Sequence, residues 1–150
     1  MRRLYPKIPV YSDWVLFSVT ITNGGTTSSN LGFWRRSGDS IDLQYLTTWT
    51  GSGAGANLTF SIPAAMVIDG PTKTGNVASR SIIGYGSFYD SSVPQNNSCA
   101  VNDLTTTTLC LMNHGGTGIL QGSALGNADV TSFFVSAVPI VGFSSNRRGR

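Results

Sequence analysis

A chain of 150 residues suits one domain with one core, since a domain of this size buries roughly 70% of the surface its unfolded form exposes. Charged residues are 11% of it and Glu is absent, while Gly, Ser, Thr and Asn supply about two fifths; this excludes long charged surface helices and leaves strand-forming Thr, Val, Ile and aromatics in their place. The formal net charge of +3 is concentrated in Arg2, Arg3 and Lys7 at one end and Arg147, Arg148 and Arg150 at the other, so residues 8–146 carry four basic groups against seven Asp, which argues against nucleic acid as partner, and no apolar run reaches membrane-spanning length.

Taken in chain order, residues 1–12 hold Pro6 and Pro9 and read as an extended arm. Trp14 to Thr22 is β-branched and aromatic, and it stops at the turn signal Asn23-Gly24-Gly25. Leu31 to Arg36 then leads through Ser37-Gly38-Asp39-Ser40 into Ile41 to Trp49, a hairpin in which Ile41, Leu43 and Tyr45 face inward and Asp42 and Gln44 meet water. Residues 51–56 read as a flexible loop. Beyond it, Leu58, Phe60 and Ile62 share one face of the segment Asn57 to Pro63.

Ser79 to Asp90 places Ile83, Tyr85, Ser87 and Tyr89 on one side, with Gly84 and Gly86 marking a bulge or a close backbone approach. Leu104 to Met112 is strand-like, and Ser132 to Phe143 is the most apolar run in the chain. No segment shows a 3.6-residue stripe. Short strands separated by Gly, Asn and Ser turns predict an all-β domain, a sandwich or barrel, over residues 13–145, followed by a basic tail over 146–150.

Cys99 and Cys110 are too few for a disulfide framework and lack zinc-ligand spacing; they either close a small loop or are two buried thiols. Met1 to Val10 lacks the apolar stretch of a signal peptide, so synthesis in the cytoplasm is expected. Chemistry-bearing constellations are sparse. Trp34, Arg35 and Arg36 form a possible ligand ridge for acidic sugars or phosphate, while turn chemistry favours a plainer reading in which one Arg pairs with a nearby Asp across the hairpin. His114 stands before Gly115-Gly116 with no nucleophile motif and reads as a loop residue. The Asp residues are scattered, so no catalytic, metal-binding or cofactor-binding set is expected and the chain reads as non-enzymatic.

The ordered motifs Trp34-Arg35-Arg36-Ser37-Gly38-Asp39, Ser61-Ile62-Pro63 and Val138-Pro139-Ile140-Val141-Gly142-Phe143 resemble a phage virion-exposed module, of the kind found at tail-fibre tips and in capsid decoration proteins. The likeness spans about residues 13–144. It implies a jelly-roll-like antiparallel β-sandwich similar to tumour necrosis factor-like heads, assembled as a homotrimer whose subunit interface includes Phe133, Phe134 and Phe143. The function it implies is a capsid decoration, cement or head-fibre protein in the virion, assembled in the host cytoplasm. Arg2, Arg3, Tyr5, Lys7, Arg147, Arg148 and Arg150 would then be particle-anchoring arms on phage coat or other virion proteins. The alternative is a host-receptor-binding knob whose partner is a host surface glycan or protein; neither reading involves nucleic acid or membrane.

Overall fold

Apolar and polar residues alternate on either side of Gly38-Asp39, and that pattern forms the longest hairpin of the chain. In the computed structural model, which describes residues 11–70, 82–113 and 118–143, β3 (Thr27–Ser37) and β4 (Ser40–Trp49) pair antiparallel from Ser37↔Ser40 to Thr27↔Trp49. Gly38 supplies the turn's left-handed backbone, with φ of 65°. Ile41, Leu43 and Tyr45 are buried as their spacing predicts, but Asp42 departs from the pattern and is buried with them.

The remaining strands are β1 (Val15–Phe17), β2 (Ile21–Thr22), β5 (Thr59–Ser61), β6 (Ile82–Asp90), β7 (Gln95–Asp103), β8 (Thr108–Leu111) and β9 (Val130–Pro139). The nine strands among the described residues all belong to one antiparallel sheet in the order β1-β3-β4-β9-β6-β7-β8-β5-β2. The all-β expectation therefore holds. The run Trp14 to Thr22 is divided, however: β1 pairs with β3 and β2 pairs with β5, so the two margins of the sheet come from neighbouring residues. Between them the Thr20 amide donates to Ser61 Oγ at 2.9 Å, and Asn30 Nδ2 donates to the Val19 carbonyl at 3.0 Å. A sheet whose opposite margins share one short segment must curl, and curling encloses the core.

Tyr45 on β4 stacks on Phe133 of β9 with ring centroids 4.2 Å apart, and Phe60 of β5 meets Phe133 edge-on at 5.0 Å. Strands far apart in sheet order are thus in contact through the interior. The Tyr45 hydroxyl is satisfied there by donating to the Ser61 carbonyl at 2.9 Å, and the fully buried Trp49 donates its Nε1 to Thr131 Oγ1 at 3.2 Å. Each fully buried large apolar side chain contributes about 1.5–3 kcal/mol, which makes this aromatic cluster a principal source of stability.

On β6 the inward positions are Gly84, Gly86 and Phe88, while Tyr85 points out. A Cβ at Gly86 would fall 2.4 Å from Phe133 Cβ, and one at Gly84 would fall 2.4 Å from the Phe134 carbonyl oxygen. The two glycines therefore make room for the neighbouring strand, and the register slips between Ile82 and Gly84, as a bulge and a close approach predict. Asn102 pairs with Cys110 across β7 and β8. Cys99 lies an odd number of residues from Asn102, so the two cysteines point to opposite faces of the sheet and are two buried free thiols. Burial pushes both thiols up, and with the nearby Asp103 charge Cys110 reaches about 11, far from a reactive thiolate.

One expectation is corrected at the loops. Residues 51–56 are pinned by backbone bonds, Gly53 to the Gly122 carbonyl at 2.8 Å and Ala54 to the Asn23 carbonyl at 3.0 Å, and Gly53 lies so close to Asn23 that a Cβ there would clash. Of the expected arm only Tyr11 and Ser12 are described, and they lie along β3: Tyr11 bridges to Ser37, and the Ser12 amide donates to the Arg36 carbonyl at 3.1 Å. Arg2, Arg3, Tyr5, Lys7, His114, Arg147, Arg148 and Arg150 lie outside the described residues.

Candidate interaction surface

Side chains alternate across a strand, so each inward row of the curled sheet has an outward counterpart. One outward row runs from Leu16 on β1 to Phe33 on β3, Gln44 on β4, Phe134 on β9 and Tyr85 on β6. The next row carries Leu31, Leu46, Ser132 and Ser87. Outward positions are normally polar, yet Tyr85 is 71% exposed, Leu16 60%, Leu46 44% and Phe134 39%. Leu46, Tyr85 and Phe134, with Leu31 and Phe33, line a shallow groove of about 490 Å³ in which none of the described lining residues is charged, and Leu16 lies beyond its edge. An apolar face of this kind, extending over several strands, is a candidate contact surface.

One border of the face is built by Asp42. Its outward carboxylate accepts Arg35 Nε at 2.9 Å and the Ala137 amide at 3.0 Å. Ala137 lies in a bulge of β9, where the register slips opposite Asp42 and φ reaches 56°, so its amide has left the ladder and needs an acceptor. The guanidinium of Arg35 lies over the rings of Tyr11 and Trp14 at 4.6 and 4.7 Å, and Trp14 meets Phe134 edge-on at 6.4 Å. Aromatic rings, cation and carboxylate thus form one stack that joins the docked N-terminal segment to the outer face.

The three residues of the expected ridge do not act together. Trp34 faces inward and packs against the core, Arg35 is held by Asp42, and Arg36 donates Nε to the Gly38 carbonyl at 2.8 Å with its guanidinium over Phe143 at 4.5 Å. The plainer reading, an Arg–Asp pair across the hairpin, is the one seen. Among the expected interface aromatics, Phe133 belongs to the chain's own core at 4% exposure, because adjacent strand residues face opposite ways; Phe134 reaches the surface and Phe143 packs under Arg36. Leu16, Leu31, Leu46 and Tyr85 were not singled out in the sequence. Their signal was present only as apolar residues at positions complementary to the core, which requires knowing the inward face first.

Other carboxylates have structural roles. Asp129 accepts the Ser91 amide at 2.8 Å and the Gly126 amide at 2.7 Å, tying the β6–β7 turn to the loop before β9. Asp90 accepts the Ser92 hydroxyl and amide, which holds its carboxyl below the usual range. Comparison of the chain with family models, with curated proteins and with solved structures finds no match.

Asp103 differs from these carboxylates: it is 1% exposed, neither carboxylate oxygen has a hydrogen-bond partner on another described residue, and burial raises its pKa. The folded chain therefore binds this proton more tightly than the unfolded chain. The cost of burying the charge is absent below the ordinary value of about 3.9 and grows as pH rises through the raised folded value. Asp103→Asn is expected to stabilise the protein at pH 7 by on the order of 1 kcal/mol, with the gain shrinking toward pH 4. Urea melts of both proteins at the two pH values measure this, and a variant less stable than the parent at pH 7 would overturn it.

Proposed function

We propose that this chain is a non-enzymatic structural protein of a bacteriophage particle, of the capsid decoration or cement type, folded as a jelly-roll-like sandwich and assembled as a homotrimer. The particle role rests on the resemblance of its ordered motifs to virion-exposed modules. The observation that supports assembly is the uncharged outer face bearing Leu16, Leu31, Leu46, Tyr85 and Phe134. Both margins of the sheet end in short strands that share one segment, which blunts edge-to-edge pairing and leaves the faces for association. Burial of that face between copies would put its apolar side chains where they stabilise.

The basic arms complete the reading. Exposed ion pairs contribute only about 0.2–1 kcal/mol each, so a trimer would hold a shell by presenting several arms at once. A second reading, the host-receptor-binding knob, is favoured by a carboxamide-lined cavity around Asn57, Asn113 and Gln121.

Light scattering at micromolar concentration should give a trimer for the parent chain, and a Leu46→Asp, Tyr85→Asp variant should give a monomer with unchanged far-ultraviolet dichroism. A parent that is monomeric in ordinary salt would defeat the assembly. Deleting residues 1–9 or 147–150 should then lower retention on phage particles as salt is raised, and unchanged retention for both would move the assignment to the knob.

A further inference from the structure

The cavity that the outer face does not use is built from three segments held together by their backbones. The Leu58 amide donates to the Leu120 carbonyl at 2.9 Å, the Gly122 amide to the Ala56 carbonyl at 3.1 Å, and the Asn113 amide to the Gly118 carbonyl at 2.7 Å. Asn57 and Gln121 are bridged directly, as are Met112 and Ile119. This frame presents the side chains of Asn57, Asn113, Gln121 and Ser123 to a cavity of about 530 Å³, within the usual range for small-ligand sites. None of these four side chains donates or accepts a hydrogen bond described in the structure, and none of the described lining residues is charged.

We infer that this cavity is a binding site for a neutral saccharide. Each carboxamide offers an N–H donor and a carbonyl acceptor side by side, which matches a pair of neighbouring sugar hydroxyls that can each donate and accept. Ile119 and Ala124 supply the apolar contact that a sugar's C–H face requires. Among the described residues the lining offers carboxamides and a hydroxyl, which suit neutral sugars, and not the Arg or Lys that acidic sugars and phosphates call for. An extended peptide is the poorer fit, because it would add to free backbone groups, and the amides of Leu58, Asn113 and Gly122 are already paired within the frame. The inference stands on the cavity alone and does not depend on a virion role or on trimer formation.

The test is a two-dimensional amide NMR titration of the full chain with lactose, maltose, cellobiose and N,N′-diacetylchitobiose, with sialyllactose as the acidic comparison. At least one neutral disaccharide should shift the side-chain amide signals of Asn113 and Gln121 saturably, with a Kd on the order of 1 mM. The Asn113→Ala, Gln121→Ala variant should bind at least about tenfold more weakly, while its backbone spectrum away from the cavity and its melting temperature stay unchanged. No saturable shift with any of the four neutral sugars would overturn the proposal. So would equal binding by the double variant, or tighter binding of sialyllactose than of lactose.

Discussion

Replacing Asp42 by Ala is expected to cost about 3–5 kcal/mol of folding stability, the range for breaking a buried ion pair and leaving one partner behind. The substitution removes the acceptor of two groups at once. The Ala137 amide sits in the β9 bulge with no ladder partner, and the Arg35 guanidinium, covered by Tyr11 and Trp14, has no other carboxylate within an ion-pair distance among the described residues. Thermal unfolding should shift by roughly 6–20 °C, at about 2–4 °C per kcal/mol for a chain of this size.

Asp42→Asn separates the two roles, because it retains an oxygen for the Ala137 amide while removing the charge that faces Arg35. Its cost should fall between that of Asp42→Ala and zero. Arg35→Lys should also be costly, since a compact ammonium cannot contact both the Tyr11 and Trp14 rings and Asp42 as the planar guanidinium does. A loss under about 1 kcal/mol for Asp42→Ala would mean that the pair behaves as an exposed salt bridge, and the bulge would then need another explanation.

The second large effect is expected at Gly122, where a Cβ would stand 1.7 Å from the Asn23 carbonyl oxygen and 3.0 Å from that of Ala54. Asn23 itself is held at φ of 61°, so the loop that carries this oxygen has little freedom to withdraw. Gly122→Ala must displace that loop and with it the bonds from Gly53 to the Gly122 carbonyl and from Ala54 to the Asn23 carbonyl. Overpacking alone costs about 1–3 kcal/mol, and each hydrogen bond lost adds about 1 kcal/mol. The total should approach the cost of Asp42→Ala.

Gly55 provides the contrast, since a Cβ there would meet only Ser123 Oγ at 4.0 Å. Gly55→Ala should be neutral or stabilising by about 0.4–1 kcal/mol through the unfolded chain. Denaturant melts of Gly122→Ala, Gly53→Ala and Gly55→Ala test this directly: Gly53, with a Cβ position 2.2 Å from the Asn23 oxygen, should behave like Gly122. Equal effects at all three would contradict the packing account.

Local chemistry in the sequence determined the turn and the second strand of the β3–β4 hairpin, while β3 starts at Thr27, four residues before the expected Leu31. Ile41, Leu43 and Tyr45 alternate with polar neighbours, Gly38 and Asp39 make the turn, and Arg35 lands opposite Asp42 because the hairpin register follows from that turn. The all-β class and the close approach at Gly84 and Gly86 were legible for the same reason, as each depends on a few neighbouring residues.

What depended on strands distant in the chain was not legible. Gln95–Asp103 carries Asn, Ser and a single Val, with little intrinsic strand preference, and becomes β7 because β6 and β8 supply ladder partners on both sides. Trp14 to Thr22 reads as one strand, and only closure of the sheet divides it between β3 and β5. The outer face shows the limit most clearly. Phe133 and Phe134 are identical in local character, yet one fills the core and the other reaches the surface. Which goes where is decided by register against β4 and β6, and by the glycines of β6 that admit one ring and not its neighbour. A period-two pattern specifies that two faces exist, while the energy that chooses between them comes from tertiary packing.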